Sequence, residues 1–126
     1  MNLNQVTVPA FDLSASIGFY ETLGLRLIVR SDTYARFECP DGDATFSLSK
    51  RETLLPAGSE GVHVYFECDD LDARVAALKA RGLAFDQDPE DMRWLWREAW
   101  LPDPAGNLIC LYSAGKNRKN PPWRIG

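Results

Sequence analysis

The chain has 126 residues, of which 45% are hydrophobic and 25% are charged, and its formal net charge is −4. This composition is that of one globular domain, and the acidic balance argues against nucleic-acid binding, which favours clustered Lys and Arg. The sequence has no run of about 18 apolar residues, so we expect no membrane-spanning segment. Three cysteines without metal-knuckle spacing, and an N-terminus without a signal-peptide pattern, favour reduced thiols and a cytoplasmic protein.

The predicted elements form two copies of one pattern, strand–helix–strand–strand–strand. For the first copy, at about residues 3–50, the pattern predicts strands at 5–10, 25–30, 34–39 and 44–50 and a helix over 13–24. A linker at about 51–61 follows, because Pro56, Gly58 and Gly61 interrupt the periodicity. For the second copy, at about 62–113, it predicts strands at 63–68, 83–85, 94–101 and 107–112 and a helix over 71–82. A C-terminal tail covers 114–126.

The two copies are an internal repeat. A shift of 58 residues places Asp12 on Asp70 and Gly24 on Gly82. The two aspartates stand where a helix N-cap is expected, and the two glycines are placed to end the helices in a left-handed turn.

Side chains alternate in polarity along the strands, so each sheet has an apolar face and a polar face. The apolar set, which we expect to pack on the helices, comprises Val6, Val8, Phe46, Leu48, Val64, Phe66, Ile109 and Leu111. The polar set is mostly uncharged and comprises Gln5, Thr7, Thr45, Ser47, Ser49, His63, Tyr65, Glu67, Cys110 and Tyr112. A solvated face is one interpretation of the polar set. Two twisted sheets would instead enclose a cleft between such faces, and we favour this interpretation.

The predicted strand 94–101 alternates between tryptophan and other residues. One face carries Trp94, Trp96, Glu98 and Trp100, and the other carries Leu95, Arg97 and Ala99. If the tryptophan face lines the cleft, Trp96 and Glu98 join the site, which would suit a flat or cationic ligand. Otherwise the tryptophans pack against a helix or a second subunit. Parity alone leaves both arrangements open.

Three motifs make the chain resemble the vicinal-oxygen-chelate superfamily, which includes glyoxalase I, extradiol dioxygenases, fosfomycin-resistance enzymes and bleomycin-binding proteins. The motifs are VTVPAFDL with FYETLGL (6–13 and 19–25), VHVYFECDD (62–70) and DPAGNLICL (103–111). The resemblance covers the chain from Val6 to about Tyr112. It implies an α+β fold of two βαβββ modules related by a pseudo-twofold axis, with curved mixed sheets around a cleft, and usually a homodimer.

Metal-dependent members of that superfamily carry four ligands on their strands. The resemblance places these positions at Gln5, Ser47, His63 and Cys110, where two of the usual carboxylates are replaced by a hydroxyl and a thiol. The set offers a divalent ion only one anionic ligand, and we therefore favour a protein that binds a small organic molecule without a catalytic metal. The alternative is a divalent-metal-dependent lyase, isomerase or dioxygenase with Gln5, His63 and Cys110 as ligands and zinc as the first candidate. No catalytic residue is assigned.

Overall fold

The structure is a computed structural model and describes residues 1–52 and 62–126. The first half contains β1 (Gln5–Ala10), α1 (Leu13–Leu23), β2 (Arg26–Arg30), β3 (Tyr34–Glu38) and β4 (Thr45–Lys50). The second half contains β5 (His63–Glu67), α2 (Leu71–Ala80), β6 (Gln87–Asp91), β7 (Arg97–Pro102) and β8 (Leu108–Ser113), followed by a 3₁₀ helix (Gly115–Arg118). The repeated β-α-β-β-β order is thus confirmed. Most of the predicted linker at about 51–61 lies outside the described residues.

The strands form two four-stranded mixed sheets, ordered β1-β4-β3-β2 and β5-β8-β7-β6. In each sheet the first strand of a copy runs parallel to its last strand, and the other pairs are antiparallel. The chain divides into two compact units. Among the described residues, unit 1 contains 1–52 and 103–107, and unit 2 contains 62–102 and 108–126. The turn between β7 and β8 therefore belongs to unit 1.

Helix α1 covers the apolar face of the sheet in unit 1. Its N-cap is Asp12, whose Oδ1 accepts a 3.0 Å hydrogen bond from the N–H of Ala15, and it ends at Gly24 with a φ of 115°. Both features were predicted and provide partners for terminal backbone groups of the helix. Tyr20 is fully buried, and its ring centroid lies 4.6 Å from that of Phe46 on β4.

The turn 103–107 is built around one carboxylate. Oδ1 of Asp103 accepts hydrogen bonds from the N–H groups of Ala105 and Asn107, both at 2.9 Å. Oδ2 accepts from Tyr20 Oη at 2.6 Å and from Asn107 Nδ2 at 2.7 Å. Asn107 Nδ2 also donates to the carbonyl of Pro9 at 2.8 Å, which fastens the turn to β1. Gly106, with a φ of 90°, supplies the left-handed residue that so tight a turn requires.

Helix α2 differs from its counterpart at the N-terminus. Asp70 stands at the N-cap position as predicted, but its side chain makes no capping hydrogen bond, so the capping role assigned to it was wrong. The acidic residue in the first turn, Asp72, instead binds Arg97 on β7 at 2.8 Å and 3.1 Å. At the other end Gly82 has a φ of 98°, in the predicted left-handed conformation.

Two predicted strand positions in the second half were wrong. Residues 83–85 are not a strand, because the N–H of Leu83 bonds the carbonyl of Leu78 in the turn that ends α2. The edge strand is the polar β6, whose one partner in the described part of the chain is β7, so it needs no apolar alternation. Strand β7 begins at Arg97 rather than Trp94, since Met92 and Trp96 close a hairpin turn between β6 and β7.

None of the described helices is long and apolar enough to cross a membrane.

Candidate functional site

A row of three side chains crosses the polar face of the sheet in unit 2. Cys110 on the inner strand β8 is paired with Tyr65 of β5 on one side and with Trp100 of β7 on the other. The next row, two residues further along β8, holds Glu67, Tyr112 and Glu98. Successive residues of a strand point to opposite faces, so the buried Ile109 and Leu111 face away from this row, as their polarity predicted.

The register also decides the orientation of β7, which parity alone left open. Glu98 and Trp100 lie on the side of Tyr112 and Cys110. Ala99 and Leu101 face the other way and are fully buried. The tryptophan side of β7 therefore shares a face with Cys110, and the Trp96 ring contacts rings of that face.

Five rings on this face form one cluster, which we term the aromatic face: His63, Tyr65, Trp96, Trp100 and Tyr112. The Tyr65 ring lies at its centre, nearly perpendicular to Trp96, Trp100 and Tyr112 at centroid distances of 5.9, 5.4 and 5.6 Å. Trp96 stacks on Tyr112 at 4.7 Å, and His63 meets Trp100 edge-on at 5.3 Å. These are the arrangements that aromatic quadrupoles favour, so the rings hold each other in place.

A buried carboxylate lies beside the aromatic face. Glu98 is only 2% exposed; its Oε1 accepts a 2.9 Å hydrogen bond from Trp100 Nε1, and its Oε2 accepts a 2.6 Å bond from Trp94 Nε1. None of the ion pairs found in residues 1–52 and 62–126 includes Glu98. Burial is the main cause that raises the pKa of the Tyr65 hydroxyl, and the nearby charge of Glu98 adds to it. The carboxylate therefore gives this face a negative potential.

Cys110 lies beneath the aromatic face. Its side chain is 0% exposed, Trp96 and Trp100 pack against its cluster, and its thiol donates a 3.7 Å hydrogen bond to the carbonyl of Leu111. Burial, and next the charge of Glu98, raise the pKa of this thiol, so it is protonated at neutral pH. A protonated, covered thiol is a poor nucleophile and a poor metal ligand.

The other predicted residues of unit 2 are more accessible. His63, Tyr65 and Glu67 alternate along β5 and are all exposed. Tyr112 is buried under Trp96, which itself donates a 3.3 Å hydrogen bond from Nε1 to the carbonyl of Asn117 in the C-terminal segment.

The polar face of unit 1 is a hydrogen-bonded network. Gln5 Nε2 donates to Ser47 Oγ at 2.8 Å and to Thr7 Oγ1 at 3.1 Å, while Gln5 Oε1 accepts from Thr45 Oγ1. Ser47 is fully buried, whereas Gln5 and Thr7 are exposed. The side chains predicted as ligand contacts on this face are therefore already bonded to each other.

Sequence reasoning missed two members of this network on β3. Tyr34 Oη pairs with Ser47 Oγ at 2.7 Å, and Arg36 Nε donates to Tyr34 Oη at 2.9 Å. The signal was present: Ala35 and Phe37 are the buried residues of this strand, so alternation puts Tyr34 and Arg36 on the polar face. The hydrogen bond with Ser47, and less strongly the one from Arg36, lower the pKa of Tyr34.

The four positions that resemblance assigned to metal ligands do not fit a divalent ion. Gln5 and Ser47 are engaged with hydroxyl partners in unit 1, and in unit 2 the Cys110 thiol is buried and protonated. His63 alone presents an exposed ring. Within the described part of the chain, no three His, Cys, Asp or Glu side chains are grouped in a way that could hold a metal. The donor chemistry thus lacks the anionic, accessible ligands that such an ion requires.

Unit 1 also contains a cavity of about 580 Å³ at the N-terminal end of α1. Its charged lining residues are Asp12, Arg30, Asp32, Lys50, Arg51 and Glu52. The described part of this lining therefore holds three basic and three acidic side chains, which balance in charge.

Comparison with solved structures identifies the same fold in several proteins. One is a glyoxalase/bleomycin resistance protein/dioxygenase from Nocardioides, at 28% identity and a TM-score of 0.77, with 100% of this chain and 90% of that chain covered. A second is a bleomycin-binding protein complexed with bleomycin, at 22% identity and a TM-score of 0.73, covering 90% and 98%. A third is the lactoylglutathione lyase from Agrobacterium tumefaciens, at 22% identity and a TM-score of 0.73, covering 91% and 94%.

No curated protein matches the chain. The family model of the Glyoxalase/Bleomycin resistance protein/Dioxygenase superfamily matches residues 2–111, and the chain therefore belongs to this superfamily.

Proposed function

We propose that this protein binds a small, flat organic molecule on the aromatic face of unit 2, without a catalytic metal. The observation that carries the proposal is the exposure of Tyr65. Tyr65 is 41% exposed although three other rings lie around it, so the centre of the aromatic face remains accessible to solvent. Exposed aromatic surface held rigid by its neighbours is typical of a ligand-binding site, because little entropy is lost when a flat molecule stacks on it.

Two further features support binding over catalysis. The buried thiol of Cys110 is protonated, and His63 has no second imidazole with which to relay a proton, since it is the one histidine of the chain. The fold is shared with a bleomycin-binding protein that was solved in complex with bleomycin, which supports ligand binding as a use of this architecture. We assign no reaction to the protein.

Acridine, used at a pH where it is uncharged, is a suitable neutral probe. We expect it to quench tryptophan fluorescence in a saturable way and to bind about tenfold more weakly to Tyr65→Ala, because one stacking partner is lost. Trp123→Phe is the matched control, since Trp123 is an exposed ring in the C-terminal tail, outside the aromatic face. Treatment with EDTA should leave the affinity unchanged. The proposal fails if no saturable binding occurs, or if added zinc is required for it.

We also propose that the protein is a homodimer. Among the described strands, β2 is an edge strand whose one partner is β3, and Ile28 and Val29 on it are 47% and 41% exposed. The other antiparallel edge, β6, contains three acidic residues and Pro89, which disfavour pairing with a further strand. The apolar edge at β2 is therefore the better place for a second copy to bind.

A further inference from the structure

Glu98 carries a negative charge at a place where buried charges are rare. Both of its carboxylate oxygens accept hydrogen bonds from indole N–H groups, which is the pattern of an ionised acceptor rather than of a protonated acid. No Lys, Arg or His forms an ion pair with it among the described residues. An uncompensated buried carboxylate is destabilising, so a function that uses its charge would account for its presence.

One of these two hydrogen bonds connects the charge to the aromatic face. Trp100 is part of the aromatic face, and its N–H donates to the carboxylate at 2.9 Å. A donor bonded to an anion is polarised, which shifts electron density from the N–H into the indole ring. The face of the ring then attracts a cation more strongly than the face of an isolated indole does. Glu98 thus acts on a ligand through Trp100 as well as through its own field.

The burial of Glu98 restricts the kind of cation that its charge can attract to the aromatic face. Because the carboxylate is 2% exposed, a ligand cannot form a direct ion pair with it unless the rings move. A compact, strongly hydrated ion would lose its water without gaining that contact. A flat ring system with a delocalised positive charge is more weakly hydrated, so it loses less hydration free energy on binding. It can lie on Tyr65 and Trp100, where the electric field of the Glu98 carboxylate attracts it.

We propose that the aromatic face selects flat organic cations with delocalised charge over neutral rings of the same shape, and that Glu98 is the residue that determines this selectivity. The inference rests on the proposed function, since it concerns the same face. It adds the charge class of the ligand and the side chain responsible for it.

The test compares N-methylacridinium with acridine at a pH where acridine is neutral, using isothermal titration calorimetry. We expect wild-type protein to bind the cation about tenfold more tightly than the neutral ring, and Glu98→Gln to bind both with similar affinity. The matched control is Glu67→Gln. Glu67 lies in the same row as Glu98 but is exposed, so solvent screens its charge and its removal should leave the ratio nearly unchanged.

The Glu98→Gln variant places an amide N–H₂ donor opposite one of the two indole N–H donors, which weakens that contact. Circular dichroism must therefore show that the variant is folded. If it is not, Trp100→Phe decides: it keeps a ring on the face and removes the N–H donor to Glu98, so the ratio should fall while acridine still binds. If wild-type protein binds both probes with equal affinity, the proposed charge selectivity is wrong, whereas the proposed stacking of a flat molecule still stands. A ratio retained in Glu98→Gln, or lost equally in Glu67→Gln, would overturn the role of Glu98. Binding of neither probe would instead remove the proposed function itself.

Discussion

The hydroxyl of Tyr20 donates a 2.6 Å hydrogen bond to Oδ2 of Asp103, and both side chains are buried. Tyr20 belongs to the FYETLGL motif on α1, and Asp103 begins the DPAGN motif of the turn after β7. Two motifs that lie far apart in the sequence are therefore two sides of one contact. Burial, followed by the charge and hydrogen bond of Asp103, raises the pKa of Tyr20, so the hydroxyl remains a donor across the physiological range.

Removing this donor should destabilise the protein. Tyr20→Phe leaves a buried carboxylate oxygen with one partner fewer, and we expect a loss of about 1–3 kcal/mol in the free energy of unfolding, measured by urea denaturation. A double-mutant cycle with Asp103→Asn isolates the contact from other effects of the substitution. If Tyr20→Phe costs as much in the Asp103→Asn background as in wild-type protein, the hydrogen bond is not the source of the effect.

The stability of the protein should fall in alkaline solution in a way that depends on Cys110. The pKa of its thiol is raised in the folded state by burial and by Glu98, whereas an unfolded thiol ionises near about pH 8.5. Above that pH the unfolded state binds fewer protons than the folded state does. The contribution of the Cys110 thiol to the free energy of unfolding is therefore complete at lower pH and is lost as pH rises. We expect wild-type protein to lose about 2 kcal/mol more than Cys110→Ala between about pH 7 and about pH 10. Parallel pH slopes in the two proteins would contradict the burial of this thiol.

Alkylation gives an independent measure of the same feature. Cys39 and Cys68 are partly exposed, whereas Cys110 is fully buried. With iodoacetamide and peptide mass spectrometry, we expect Cys110 to be the slowest of the three thiols to react in folded protein, and all three to react at similar rates in urea. Fast modification of Cys110 in the folded state would mean that the rings do not cover it.

Leu95 should be replaceable with a gain in stability. It is the one non-glycine residue with positive φ among those described, at 69°, and its side chain is 48% exposed. Leu95→Gly removes the steric strain of a side chain in the left-handed conformation, and it loses few packing contacts because the residue is exposed. We therefore expect the free energy of unfolding to rise by about 0.5–1 kcal/mol. Leu95→Ala is the control, because alanine keeps the strain. A gain of the same size in both variants would attribute the effect to the lost leucine side chain instead.

The dimer proposal predicts a change in mass upon a surface substitution. In sedimentation experiments at micromolar concentration we expect wild-type protein to be a dimer and Ile28→Lys to be a monomer, because a charge on the outer edge of β2 opposes strand pairing. Ile125→Lys is the control, since Ile125 is an exposed apolar residue outside any strand. A monomeric wild-type protein, or a dimer that Ile28→Lys leaves intact, would contradict the proposed interface.

Much of the fold could be predicted because local signals and packing agree. The capping of α1 by Asp12 and the left-handed Gly24 follow from residue type and position alone. Asp70 has the same position and residue type but makes no capping hydrogen bond. In the first turn of the same helix, Asp72 binds Arg97, and residue spacing does not encode a contact between residues so far apart in the sequence. Strand β6 was missed since an exposed edge strand needs no periodic pattern.

The sequence predicted which side chains share a face of the sheet, but not which of them are accessible to solvent. Alternation correctly separated Cys110 from Ile109 and Leu111, but whether a residue on a polar face is open or covered depends on its neighbours across the sheet. Trp96 stacks on Tyr112 and packs with Trp100 against the Cys110 cluster, and the hairpin turn at Leu95 sets where β7 begins. No periodicity of the sequence carries that information.

The position of the 103–107 turn bears on the order in which the molecule is assembled. The partners in the Tyr20–Asp103 bond are separated by 83 residues, and the turn completes unit 1 although most of that unit comes from the first 52 residues. During synthesis the first half can therefore form α1 and its strands early, but its final buried contacts must wait until β7 has been translated. Contacts of such long sequence separation are slow to close, so the last step in folding of unit 1 should be the docking of this turn. A ribosome stalled before residue 103 would hold an incomplete first unit, with the Tyr20 hydroxyl still lacking its acceptor.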